Sequence, residues 1–181
     1  MDSIRTRMKE LAEYIGYEYK DLSWLEKGMY CKVIAHKVGG GKNRDNYSNG
    51  QMAALGNAVL KQIVAEELFD KGLSLNEVDN HKNRPKDYEV LFHLDWENQI
   101  YRFAYDDTGD YYDLRGGVHP PLPAHDLYIE AIIAAIYKDR GYDYARRWVS
   151  TFFEKNGLRI GETPIYINKV HKQNMEKDRD R

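Results

Sequence analysis

The sequence predicts an all-α domain. Apolar residues recur at helical spacing in most of the chain, and the stretches between them break at glycine, proline and aspartate or asparagine. Ile4, Met8, Leu11 and Ile15 define a first helix that begins near Ser3 and stops at Gly16. A second starts after Asp21 and carries Leu22, Leu25, Met29 and Val33 on one side. Gly39-Gly40-Gly41-Lys42-Asn43 is a break, after which Ser48 or Asn49 is placed to cap a third helix with Val59, Leu60, Ile63, Val64 and Leu68 in a broad apolar stripe ending before Gly72. Tyr88 to Tyr105 is aromatic-rich and fits no period cleanly; it is read as helix. Asp106 to Asp110 reads as a turn, and Gly116-Gly117 with Pro120, Pro121 and Pro123 as an irregular connection. Two further helices, Leu127 to Asp139 and Asp143 to Glu154, are split by Arg140-Gly141, and the last carries an apolar face of Trp148, Val149, Phe152 and Phe153.

A chain of 181 residues, 42% apolar and 31% charged, supports one globular domain, placed at residues 1–157, and a polar tail at residues 158–181. The longest apolar run, Ala131 to Tyr137, is too short to cross a bilayer, and the first residues lack the apolar stretch of a signal peptide. The single Cys31 excludes an internal disulfide framework, so an intracellular, reducing, cytoplasmic setting fits. A net charge of −2 leaves any affinity for nucleic acid to local patches. The candidates are Lys37, Lys42 and Arg44 around the glycine run, then Lys82, Arg84 and Lys86, with further cations in the tail.

Two distant segments carry the most information. The first is Asn49-Gly50-Gln51-Met52-Ala53-Ala54-Leu55-Gly56-Asn57-Ala58-Val59-Leu60, and the second is Glu130-Ala131-Ile132-Ile133-Ala134-Ala135-Ile136-Tyr137-Lys138-Asp139-Arg140-Gly141. In order and spacing they resemble the ribonuclease III family, whose signature Asn-Glu-x-Leu-Glu-Phe-Leu-Gly-Asp-Ala-Val is followed later by Glu-Ala-Leu-Ile-Gly-Ala-Ile-Tyr-Leu-Asp-Gly-Gly. Tyr19-Lys20-Asp21, Trp24 to Met29 and Ala145 to Val149 extend the resemblance over roughly Met8 to Phe153.

The resemblance implies a helical endonuclease domain in which four carboxylates, paired along two helices, hold magnesium or manganese and order the attacking water. Carried over, the first Glu falls on Ala53, the first Asp on Asn57, the second Asp on Leu127 and the last Glu on Glu130. Three of the four are replaced. Glu130, Asn57 and Asp126, which lies four residues before Glu130, are the residues left to form a relic or weak metal and catalytic site. Against that stands a plainer reading, in which Glu130 is a partly buried acid satisfied by Asn57, Gln51 or a lysine. The family's signature Phe, which packs into a partner subunit, corresponds to Ala54, so a homodimer, or a heterodimer with a related chain, would lack that ring.

Other signals are weaker. Asp106, Asp107, Asp110 and Asp113 lack the spacing of a calcium loop, the histidines lack zinc spacing, and Gly39-Gly40-Gly41-Lys42 is no phosphate loop. His125 beside Asp126 reads as a helix cap, and the fifteen tyrosines as core and interface packing. The leading expectation is a catalytically degenerate ribonuclease III-like domain that binds structured or double-stranded RNA or serves a ribonucleoprotein. The alternatives are a residually active magnesium- or manganese-dependent endonuclease, and a protein-binding scaffold without affinity for RNA.

Overall fold

Every residue from Tyr128 to Ile136 is buried, and the helix that contains them is the axis about which the others pack. A helix apolar on all sides belongs in the middle of a bundle, because no face of it gains from water. The computed structural model describes residues 2–30, 49–74, 76, 87–105 and 125–160. In chain order the helices are α1 (Asp2–Tyr14), α2 (Ser23–Met29), α3 (Gly50–Asp70), α4 (Asp87–Glu97), a 3-10 turn (Ile100–Phe103), α5 (His125–Arg140) and α6 (Tyr142–Lys155). Among the described residues there is no strand, only an isolated bridge between Tyr30 and Tyr105, so the all-α expectation holds. Helices α2, α3, α4 and α6 all contact α5. No helix among the described residues is long and apolar enough to cross a membrane.

The helix ends follow the sequence signals. Gly16 and Gly72 adopt φ of 68° and 71°, a conformation costly for residues with a Cβ, and close α1 and α3. In each case the residue after the glycine bonds back across the turn, Tyr17 N–H to Ala12 O at 2.7 Å and Leu73 N–H to Leu68 O at 3.2 Å. The apolar face of α6 is buried as its pattern demands. Trp148 stacks on Phe152 at 4.8 Å between ring centroids and donates its indole N–H to the Ile15 carbonyl at 2.9 Å, which ties α6 to the end of α1.

Three expectations need correction. The helix expected over Tyr88 to Tyr105 is broken: α4 ends at Glu97, Gln99 takes φ of 52°, and a 3-10 turn follows. The Asn98 side chain causes this locally by donating to the Leu94 carbonyl and to Asn156 Oδ1, both at 2.8 Å. The reversal folds Tyr101 back onto Trp96, with stacked rings 5.8 Å apart. Asn49 stands at the cap position of α3 but makes no capping bond; its side chain is buried with neither amide atom hydrogen-bonded. Finally, α2 ends at Met29, short of Val33, which lies outside the described residues.

Candidate functional site

The residues that the sequence singles out at Asn57 and Glu130 meet where α3 crosses α5. Ala53 and Asn57 are one helical turn apart on α3, so both lie on the side that faces α5. Gly56 makes the close crossing possible. A Cβ placed there would sit 1.7 Å from the Glu130 carbonyl oxygen, a backbone atom that cannot step aside. The two helices therefore touch backbone to backbone at Gly56, and the side chains beside the contact are pressed together.

There the Asn57 amide nitrogen donates to Glu130 Oε1 in a short hydrogen bond. Glu130 is 6% exposed and Ala53 1% exposed. A buried carboxylate must be matched by donors, and an amide turned to a carboxylate presents its nitrogen, since oxygen against oxygen repels. The expected plain pairing of Glu130 with Asn57 is thus what the structure contains, while Gln51 is exposed. Ala53 offers no ligand, and Asn57 spends its nitrogen on the one acid. Among the described residues no three His, Cys, Asp or Glu side chains come together in a group that could hold a metal.

Asp126 lies in the first turn of α5, but its side chain, with those of His125 and Leu127, lies outside the described residues. Lys37, Lys42, Arg44, Lys82, Arg84 and Lys86, the candidate RNA contacts, lie outside them as well. Ala54, in the place of the signature Phe, is exposed on α3.

Comparison with known proteins agrees with this geometry at the level of fold. No family model matches the chain. It is 29% identical over 147 residues to "Ribonuclease 3" of Bdellovibrio bacteriovorus, which covers 80% of this chain and 60% of that protein. It is 27% identical over 163 residues to "Ribonuclease 3" of Clostridium acetobutylicum, covering 89% and 67%. Two structures of the nuclease domain of ribonuclease III from Campylobacter jejuni superpose with TM-scores of 0.63 and 0.61 at 23% and 24% identity. Each matches 82% of this chain, against 97% and 94% of theirs. The chain has the ribonuclease III nuclease-domain fold. The resemblance carried by the two motifs is therefore borne out, over most of the chain. The first of these ribonucleases is matched over about three fifths of its length. One of the Campylobacter structures is described by flexibility in a region involved in dimer formation of that domain.

Sequence reading missed a second constellation. Lys27 and Lys138 both place their ammonium groups on the Trp24 ring, 4.4 and 5.2 Å from its centroid, although they stand on α2 and α5 and far apart in the chain. No local pattern announces such a pairing; only the packing of α2 against α5 creates it.

Proposed function

We propose that this ribonuclease III-like domain is catalytically degenerate and engages structured or double-stranded RNA, by itself or within a ribonucleoprotein, without cutting it efficiently. The observation that carries this reading is the amide of Asn57 on Glu130. The family's chemistry relies on carboxylates gathered around magnesium or manganese. Here the one retained acid is neutralised in its hydrogen bonding by a side-chain amide, next to an alanine. Loss of anionic ligands weakens the electrostatic hold on a dication. The intact crossing of α3 and α5 supports the other half of the proposal: the scaffold is retained, and with it the surfaces that can meet an RNA helix by shape and phosphate contact.

Assembly as a homodimer, or with a related chain, belongs to the same reading. It would rest on contacts other than the signature aromatic ring, since Ala54 stands there. A duplex-binding role also accords with a fold whose solved relatives are nuclease domains of ribonuclease III.

The test is incubation of a long labelled RNA duplex with the chain, with and without magnesium or manganese, and with Glu130→Ala as control. RNA that stays intact yet is retained by the protein is the expected result. Metal-dependent cleavage that vanishes in the variant would make the domain an active endonuclease using Glu130, Asn57 and Asp126. Intact RNA with no retention would favour a protein-interaction scaffold.

A further inference from the structure

We infer that the surface running from Trp24 on α2, over the C-terminal end of α5, to Tyr144 on α6 is a docking face for the phosphate backbone of RNA. The inference rests on the RNA-binding reading above but concerns a different part of the molecule. Lys138 lies eight residues beyond Glu130 on α5, about 12 Å along the helix axis.

The surface is assembled from three elements. Lys27 of α2 and Lys138 of α5 share the Trp24 indole. On the other side of the α5 terminus, Arg140 and Arg147 share the Tyr144 ring, 4.2 and 5.8 Å from its centroid. Lys20 lies between the two groups, because its backbone N–H donates to Asp139, the residue that separates Lys138 from Arg140.

Two cations on one ring repel each other, and the natural relief is a carboxylate placed between them. None is provided. Lys20, Lys27, Lys138, Arg140 and Arg147 form no ion pair among the described residues. The acids of the region are turned to other duties. Asp139 accepts from the Tyr17 hydroxyl and from the backbone N–H groups of Lys20 and Asp21, each at 2.7 Å. Asp21 accepts from the Ser23 N–H at 3.0 Å, and Glu26 is paired with Arg5 at 3.4 Å. Glu18, Asp21, Asp139 and Asp143 keep their negative charge, so the five cations outnumber the unpaired acids of the region by one.

The cations are also held in place. Arg140 donates to the Glu18 carbonyl, and the rings of Trp24 and Tyr144 fix the direction of the side chains that lie on them. Ammonium and guanidinium groups ordered in advance, none of them held in an ion pair with a described acid, suit a row of phosphates, which offers successive anionic oxygens without demanding sequence. Two of the cations, Lys138 and Arg140, also complement the negative end of the α5 dipole. That accounts for two charges at this end of the molecule but not for Lys27, Lys20 or Arg147.

The experiment is salt-dependent binding of a labelled RNA duplex to the whole chain and to the double variant Lys27→Glu, Lys138→Glu. Lys9→Glu with Lys155→Glu, exposed lysines outside the cluster, serves as a charge-matched control. The expected result is a loss of about tenfold or more in affinity at ~0.1 M salt, and a fall of about two in the slope of log affinity against log salt, one for each lost phosphate contact. Lys27→Gln with Lys138→Gln should show the same fall in slope, and covers the case in which the reversed charges disturb the fold. Equal losses in the Lys27 and Lys138 variants and in the control would overturn the assignment of this face while leaving RNA binding in place. Absence of RNA binding by the native chain would overturn the RNA-binding reading and this inference together.

Discussion

A carboxylate and an amide can share a buried site at lower cost than two carboxylates, because the amide supplies a donor where a second acid would supply a like charge. Asn57 and Glu130 illustrate this at the α3–α5 crossing. Asn57→Leu removes the donor and leaves a buried acid short of one hydrogen bond, so a loss of about 1–3 kcal/mol is expected in urea unfolding near neutral pH. An undiminished midpoint would mean that the bond contributes nothing. Tyr17 offers a pH-dependent counterpart. Burial, and then the hydrogen bond to Asp139, hold its phenol pKa well above the ordinary value of 10.0. The folded state therefore keeps this proton after the unfolded chain has released it. Its stabilising effect is fully present below about pH 10 and declines as pH rises beyond that. Unfolding measured at about pH 8 and pH 11 should show a steeper alkaline loss in the native chain than in Tyr17→Phe; parallel losses would assign the effect to other groups, such as Tyr142, whose phenol is raised by burial and by Glu66.

Between elements, the contacts that matter are the ones where no side chain intervenes. Gly56 against the Glu130 backbone is such a place, and a methyl group there cannot be absorbed by a rotamer change. Gly56→Ala should force α3 off α5 and cost at least the 1–3 kcal/mol typical of overpacking, read as a lowered Tm or as failure to accumulate folded protein; a Tm within a degree or two of the native value would show that the helices can part freely. The link between α3 and α6 has a different character. Arg146 of α6 reaches Glu67 at 3.0 Å, Asp70 at 2.6 Å and Glu66 at 3.4 Å on α3, all partly exposed. One guanidinium spans three acids, so Arg146→Met both removes the tie and leaves the acids to repel. The expected loss is about 1 kcal/mol in low salt and less in ~1 M salt, where screening removes most of it. A loss independent of salt would point to packing of the arginine stem instead.

For the molecule as a whole, the sequence disclosed what depends on local chemistry. The stripes of α1, α3 and α6 and the terminating Gly16 and Gly72 are visible because apolar spacing and φ > 0 leave marks on a few adjacent residues. The meeting of Asn57 with Glu130 was legible only through the ordered resemblance of two motifs. The break at Gln99, the uncapped Asn49 and the lysine pair on Trp24 were not legible. Each is decided by what a neighbouring element brings: Tyr101 returning to Trp96, the burial of Asn49, and α5 lying against α2. The same division separates scaffold from site. The core that joins α5 to its neighbours is made of apolar contacts that do not need an ion. A variant with Ala53→Glu, Asn57→Asp and Leu127→Asp would put acids beside Glu130 in a partly buried place. Without a divalent ion it should be less stable than the native chain, because like charges would be crowded together. Addition of magnesium or manganese should raise its Tm as the ion binds the folded state alone, whereas the native Tm should stay within about a degree with or without chelator. If the native chain responds to the ion as strongly as the variant, Glu130 and its neighbours already bind it, and the degenerate reading fails. If neither responds, the crossing of α3 and α5 has lost the geometry of a metal site along with its ligands.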